Sequence, residues 1–222
     1  PVYAFNTFNE PITDPEIVGL VQTALDIGAA SEGGLDITLF PLIELWGFFE
    51  DEQNVPEFDR ITESLTCVGS NKLAIKNGVL VKLDERVKID LGAIAKGYAI
   101  GEALEVLRNA GITSALINAG GDIYALGTNK GKPWKIGIKN PRGEGVSGVL
   151  ELSDCAVVTS GDYERCFEQD GILYHHILDP KTGYSAEGTA SVTVIAESPV
   201  LADAWSTALF VMGSDKARKW MK

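Results

Sequence analysis

Cysteine is scarce in this chain, and the few present build neither a metal knuckle nor a disulfide framework. Cys67, Cys155 and Cys166 stand far apart in the sequence, whereas zinc sites made from cysteine usually place two of them within a few residues. Because their number is odd, they cannot all pair within the chain. We therefore expect three buried free thiols.

Positive charge is also in short supply. The chain has 19 Lys and Arg against 31 Asp and Glu, a formal net charge of −12. This balance disfavours a general surface for nucleic acid or for anionic membranes, since both attract cations. A phosphorylated ligand is still compatible with it, provided that a metal ion or backbone N–H groups neutralise the anion locally.

Long apolar runs are missing as well. No segment approaches the roughly 20 apolar residues that cross a bilayer, and the first residues lack the basic and then apolar pattern of a secretory signal. The hydrophobic fraction of the 222 residues is nevertheless 45%, enough to bury a sizeable core. One large domain or two small lobes are expected.

The hydrophobic period alternates between helical and strand-like along the chain. Helical spacing covers residues 14–30, 58–65, 97–110 and 202–212. A hairpin is expected around Lys76-Asn77-Gly78. Further strands are predicted at residues 87–90, 115–117, 123–126, 134–138, 149–152, 156–159, 174–178 and 191–195. Strands in hairpin-like succession with inserted helices predict an α+β fold of mixed, largely antiparallel sheets flanked by helices.

One predicted strand ends abruptly in Asn118-Ala119-Gly120-Gly121-Asp122. Glycine lets a backbone turn sharply and approach a ligand closely. A hairpin or a bulge would give the same residues, so the junction alone is a weak indication of a site. Similar small or acidic residues stand at the edges of other apolar runs, where a site would lie, at residues 89–99, 159–165, 175–180 and 202–207.

Asp203 and Thr207 are four residues apart on the predicted last helix, so they share a face, with Ser206 beside them. A carboxylate followed one turn later by a hydroxyl can bind a hard cation such as Mg²⁺. The alternative is a charge near a helix N-terminus, with Thr207 facing a neighbouring element. Spacing alone favours that alternative.

Asp90 and the histidine pair each allow two interpretations. Asp90 precedes a predicted helix start, where free N–H groups attract phosphate, but a helix cap explains it about equally well. The glycine spacing fits neither a P-loop nor a Rossmann fingerprint. His175 and His176 are adjacent in a predicted strand, so at most one should face a site. Either could act as a base, although a structural role is commoner.

Taken together and in order, the motifs resemble the ApbE family of FAD:protein FMN transferases, also called flavin transferases. The resemblance extends from about residue 15 to residue 213. The segments that carry it are Gly34-Leu35-Asp36-Ile37-Thr38 with Pro41-Leu42, Leu45-Trp46-Gly47-Phe48, residues 89–99, Asn118-Ala119-Gly120-Gly121-Asp122, Ser160-Gly161-Asp162-Tyr163, His176-Ile177-Leu178-Asp179-Pro180 and residues 202–207.

The resemblance implies an ApbE-like fold and an enzyme that binds FAD with Mg²⁺. Such an enzyme cleaves the pyrophosphate and attaches FMN through a phosphoester to a Thr or Ser of an acceptor protein, with AMP leaving. Some members instead hydrolyse FAD to FMN and AMP, and a flavin-binding protein without turnover is a further alternative. We expect a single catalytic domain over residues 1–222, truncated at both ends. Family members are mostly lipid-anchored outside the cytoplasm, which implies that location here.

The same resemblance implies roles for individual residues. Asp203 and Thr207 would hold Mg²⁺, with the Ala93 carbonyl and Ser206 completing the shell. His176 would be the catalytic base or an orienting group. The residues expected along FAD are Gly34, Leu35, Asp36, Asp90, Lys96, Asn118, Gly120, Gly121 and Ile177.

Overall fold

Helices and antiparallel strands alternate in a computed structural model that describes residues 1–48, 50 and 53–221. The helices are α1 (Val2–Phe8), α2 (Pro15–Ala30), α3 (Phe40–Trp46), α4 (Phe58–Leu65), α5 (Ala95–Asn109) and α6 (Pro199–Trp220), with a 3₁₀ turn at Ser70–Lys72. The strands are β1 (Leu73–Lys76), β2 (Val79–Lys82), β3 (Ala115–Ala119), β4 (Asp122–Leu126), β5 (Trp134–Lys139), β6 (Val146–Leu152), β7 (Cys155–Gly161), β8 (Cys166–Gln169), β9 (Ile172–His175) and β10 (Ser191–Ala196).

The central sheet has four strands in the order β10-β7-β4-β3, and the pairs β1-β2, β5-β6 and β8-β9 form separate ribbons. Each of these described pairings is antiparallel. This arrangement confirms the predicted α+β fold. It also confirms the predicted hairpin, since Lys76 pairs with Val79 across the Asn77-Gly78 turn. Within the described part of the chain, no helix is long and apolar enough to cross a membrane.

Strand β7 is apolar on both faces because both faces of the sheet are covered. Ala156 and Val158 pack toward α5 and α6, while Val157 between them packs toward the β5-β6 ribbon. Side chains of a strand alternate between faces, so a continuous apolar run is typical of a strand buried on both sides. The sheet therefore serves as a fixed base for the loops at its edge.

A cluster of aromatic rings fixes α3 against the β8-β9 ribbon. Trp46 stacks on Phe48 and contacts Phe167 and Tyr174, with ring centroids 5.3–6.3 Å apart. Its Nε1 donates a hydrogen bond to the carbonyl of Gly183 at 2.8 Å. Offset and tilted aromatic pairs of this kind add to the stabilisation from buried area. The cluster thereby holds the segment that leads from β9 into residues 176–183.

Four expectations need correction. The strand predicted at residues 174–178 ends at His175, because β9 is Ile172–His175. Residues 87–90 do not form a strand. Instead, the Asn6 side-chain amide accepts a hydrogen bond from the Ile89 N–H and donates one to the Ile89 carbonyl. One side chain thus makes the two hydrogen bonds that a neighbouring strand would make with this residue. Helix α6 runs well beyond residue 212, with a break at Gly213. The three cysteines are free but only partly buried.

Helices α5 and α6 cross in direct contact at Gly97. A Cβ on this residue would lie 2.3 Å from the carbonyl oxygen of Pro199 and 2.8 Å from the Cβ of Asp203. Backbone atoms of a packed helix cannot move aside at small cost. Gly101, one turn later on α5, has room, because its added Cβ would meet only the Pro199 Cγ at 3.8 Å.

We expect Gly97→Ala to lower the free energy of unfolding by about 1–3 kcal/mol because it overpacks this crossing. Gly101→Ala is the matched control on the same helix and should be neutral, or stabilising by up to about 1 kcal/mol, because alanine is the better helix former. Urea unfolding followed by circular dichroism measures both. Equal stability of the two variants would contradict the close crossing.

Candidate functional site

One cavity of about 720 Å³ collects residues from segments far apart in the sequence. Its volume lies within the range of sites that hold small molecules and cofactors. Most of the residues that the sequence assigned to a site line it: Gly34, Leu35, Asp36, Asp90, Ala93, Lys96, Gly120, Gly121, His176, Ile177, Asp203 and Thr207. Asn118 and Ser206 do not line it.

Two buried carboxylates in the wall share one ammonium group. Asp203 and Asp122 are each only 2% exposed. Lys96 forms an ion pair with Asp122, and its Nζ lies 3.9 Å from Oδ1 of Asp203. The other oxygen of Asp203 accepts a hydrogen bond from the Gly97 N–H at 2.8 Å. The cluster therefore has more negative than positive charge when all three groups are ionised.

This imbalance alters the acidity of the site. Burial raises the pKa of Asp203 to about 6, although the charge of Lys96 and the Gly97 N–H both act in the opposite direction. Burial also raises the pKa of Asp122 and of Asp90. A buried carboxylate whose pKa stays high is short of positive charge. A cation bound at the wall would correct this shortage.

Three hydroxyl groups lie close to one another where β7 meets α6. Ser160 Oγ lies 2.7 Å from Ser206 Oγ and 3.3 Å from Thr207 Oγ1. Ser206 is fully buried and donates to the carbonyl of Asp203 at 2.8 Å, one turn back along the helix. Thr207 reaches the cavity, whereas Ser206 supports the helix beneath Asp203.

The oxygen donors at this wall suit a hard cation. The described residues contain no group of three or more His, Cys, Asp or Glu side chains that could hold a metal. A metal here would need hydroxyl or carbonyl oxygens as well, and Thr207 and Ala93 line the same cavity as Asp203. Mg²⁺ is commonly held by one or two carboxylates with other oxygen ligands and water. The donor set therefore fits Mg²⁺ and not a thiolate or imidazole metal.

The Gly120-Gly121 junction is the tight turn between β3 and β4, and it lines the cavity as well. Both glycines have positive φ, 62° and 101°, a backbone region that favours glycine. Asn118 stabilises the turn, because its Oδ1 accepts the Gly121 N–H at 2.9 Å. Asp36 has a similar supporting role: its carboxylate accepts hydrogen bonds from Thr38 and Ser70.

The adjacent histidines have different surroundings, which confirms that at most one faces this cavity. His175 is buried, with Nε2 3.0 Å from the Ala186 carbonyl oxygen, and it lines a second cavity of about 530 Å³. His176 lines the main cavity, and burial together with the Arg165 charge lowers its pKa to about 4. Its Nδ1 is buried without a hydrogen-bond partner among the described residues. His176 is thus neutral at physiological pH.

Sequence reasoning did not assign a role to three residues of the cavity wall or its support, namely Asp122, Ser160 and Arg165. All three lie inside segments that it had marked. Their partners, however, are distant: Lys96 is 26 residues from Asp122, and Ser206 is 46 from Ser160. The signal that could have found Asp122 is an acid directly after a glycine turn.

Comparison with known proteins places the chain among relatives of the same fold. It matches the ApbE family model over residues 1–222. A relative from Treponema pallidum (strain Nichols) named FAD:protein FMN transferase is 36% identical over 93% of this chain and 62% of its own length. A Vibrio cholerae relative of the same name is 35% identical over 95% of this chain and 65% of its own. The chain thus spans less than two thirds of the length of these curated relatives.

Solved structures of ApbE proteins resemble this fold as well. The crystal structure of the ApbE protein from Thermotoga maritima has a TM-score of 0.92 and 41% identity, covering 99% of this chain and 73% of that one. Flavin transferase ApbE from Vibrio cholerae has a TM-score of 0.88 and 33% identity, covering 98% and 72%. Together with the motifs and the cavity that they line, these matches show that the chain belongs to the ApbE family.

Proposed function

We propose that this chain cleaves FAD at its pyrophosphate and attaches FMN through a phosphoester to a Thr or Ser of an acceptor protein, releasing AMP. The names of its relatives support flavin transfer. The observation that carries the proposal is the single cavity in which a buried acid pair, the Thr207 hydroxyl, a glycine turn and a neutral His176 meet.

The cavity wall has two kinds of surface that a flavin dinucleotide needs. Apolar side chains from Leu35, Ile37, Ile177 and Val211 offer contact for flat aromatic rings. The Gly120-Gly121 turn lets the backbone come close to an anion, since no side chain stands in the way. A ligand that is aromatic at its ends and anionic between them matches this lining.

Asp203, Thr207 and the Ala93 carbonyl would hold Mg²⁺. The raised pKa of Asp203 and the surplus of carboxylates around Lys96 support this assignment, because a structural ion pair alone would lower that pKa. When bound, Mg²⁺ would neutralise pyrophosphate charge and favour departure of AMP. Ser206 would act indirectly, by holding the turn of α6 that carries Asp203.

His176 is the base that we propose for the acceptor hydroxyl. The hydroxyl oxygen forms a bond to the phosphorus of the FMN moiety, the P–O bond to the AMP phosphate breaks, and the hydroxyl proton passes to the His176 ring. Phosphoryl transfer depends on positioning and on charge stabilisation more than on covalent protein chemistry. The place of His176 on the cavity wall and the neutral state of its ring support this role.

Incubation with FAD, Mg²⁺ and a synthetic peptide with a Gly-Ala-Thr motif should increase the peptide mass by one FMN and release one AMP. Asp203→Ala should slow AMP release by about 100-fold or more, because it removes a charged ligand at the reacting phosphates. Asp59→Ala, at an exposed acid on α4, is the control and should retain full activity.

Other outcomes of this assay would count against parts of the proposal. AMP and free FMN without labelled peptide would indicate a pyrophosphatase. FAD binding without AMP release would indicate a flavin-binding protein and would overturn both the transferase and the pyrophosphatase activity. Unchanged AMP release by Asp203→Ala would refute the metal assignment.

In a chelating buffer, Asp203→Asn should be more stable than the parent at pH 8, by an amount on the order of 3 kcal/mol. The pKa of Asp203 rises from 3.8 to about 6 on folding, so its burial costs nothing below pH 4 and becomes fully unfavourable above pH 7. Asparagine can still accept the Gly97 N–H. The difference should therefore vanish near pH 4.

Urea unfolding at several pH values measures this difference. Added Mg²⁺ should stabilise the parent and not Asp203→Asn, since a ligand that binds only the folded state adds stability. A variant that is less stable than the parent at pH 8, or a difference that does not change with pH, would show that Asp203 is a structural acid.

A further inference from the structure

We propose that Arg165 binds the FAD phosphate that is transferred, directly beside His176. This deepens the proposed function and rests on it.

Strand register places Arg165 next to His176. In the antiparallel β8-β9 ribbon, Cys166 pairs with His175. One step further the His176 N–H donates to the Arg165 carbonyl at 3.0 Å, so these two residues lie opposite each other. Directly opposed residues of an antiparallel pair have side chains on the same face, with Cβ atoms about 4.5–5.5 Å apart. Both side chains line the main cavity, whereas His175 lines the second one.

Two lysines line the cavity as well. Among the described lining residues these are Lys96 and Lys139. Lys96 is paired with Asp122 and lies near Asp203. Lys139 lies over the Tyr163 ring, 4.2 Å from its centroid, and 3.7 Å from a carboxylate oxygen of Glu164. Arg165 is the one of these three cations that lies opposite the proposed base, and its planar guanidinium matches phosphate oxygens two at a time.

The charge of Arg165 alters the pKa of one base and one acid of the cavity. It adds to the burial that lowers the pKa of His176, and it opposes the burial that raises the pKa of Asp90. His175 and Lys96 also disfavour the protonated His176. A phosphate bound to Arg165 would offset this positive charge, so that His176 accepts a proton more readily once the substrate is in place.

Arg165→Gln should reduce kcat for AMP release by about 100-fold with a smaller change in KM, since the contact is strongest when charge develops on the phosphate. Arg165→Lys, which keeps the charge but not the two-point geometry, should recover part of the loss. Arg108→Gln removes an exposed cation on α5, far along the chain from the cavity residues, and should behave as the parent.

A second readout does not depend on turnover. The proton resonances of His176 are titrated by NMR with and without inorganic pyrophosphate, in the absence of metal. Pyrophosphate should raise the pKa of His176 in the parent and much less in Arg165→Gln. A merely structural arginine would not produce this dependence, and Arg165→Lys serves if the glutamine variant does not fold.

The outcomes separate this proposal from the proposed function. If the parent releases no AMP but pyrophosphate raises the His176 pKa only when Arg165 is present, the transferase function is wrong and the phosphate contact stands. If Arg165→Gln keeps both the parent rate and the parent pyrophosphate effect, the role of Arg165 is overturned. If the rate falls but KM changes as much as kcat and pyrophosphate acts normally, Arg165 does not contact the phosphate.

Discussion

The site depends on the close crossing of α5 and α6 at Gly97. Because this residue has no side chain, the backbone of α5 comes near enough for its N–H to donate to the Asp203 carboxylate on α6. The same crossing brings Lys96 near Asp203 while it pairs with Asp122 at the end of the glycine turn. The absence of a side chain at Gly97 thus brings two helices and the sheet edge together at the charged cluster of Lys96, Asp122 and Asp203. Ser160 and Thr207 line the same cavity, and their hydroxyls lie 3.3 Å apart.

This charged cluster lowers the stability of the folded state. Two carboxylates share one ammonium group, and both have raised pKa values because burial outweighs the favourable charge. Networks that exist to stabilise a fold usually lower the pKa of their acids, since each acid gains a full partner. Perturbed acids in a cleft are typical of functional sites. The neutral His176 lines the same cavity, so an uncharged imidazole stands in the same site as these acids.

Sequence patterns could predict those parts of the site that local geometry controls. Helical spacing put Asp203 and Thr207 on one face, and the expectation that the two histidines point apart agrees with the different cavities that they line, although β9 ends at His175. Local sequence patterns gave wrong predictions where a partner distant in the sequence determines the structure. The buried run at residues 87–90 looked like a strand, but the Asn6 side chain bonds the backbone of Ile89, and the Asp90 N–H donates to the Ile37 carbonyl. Ser206 looked like a cavity ligand, but it bonds the helix backbone. The pairing of Lys96 with Asp122 depends on the tertiary fold, which no spacing rule reveals.

The central claim is that the acid pair around Lys96 forms one wall of a metal and FAD site. The most direct test is a crystal structure with FAD and Mn²⁺ in place of Mg²⁺, since anomalous scattering locates the manganese without assumption. The account predicts one manganese peak in contact with the Asp203 carboxylate, the Thr207 hydroxyl and the Ala93 carbonyl, with the FAD pyrophosphate beside it. A metal bound elsewhere, or FAD bound while Asp203 contacts only Lys96 and Gly97, would contradict it.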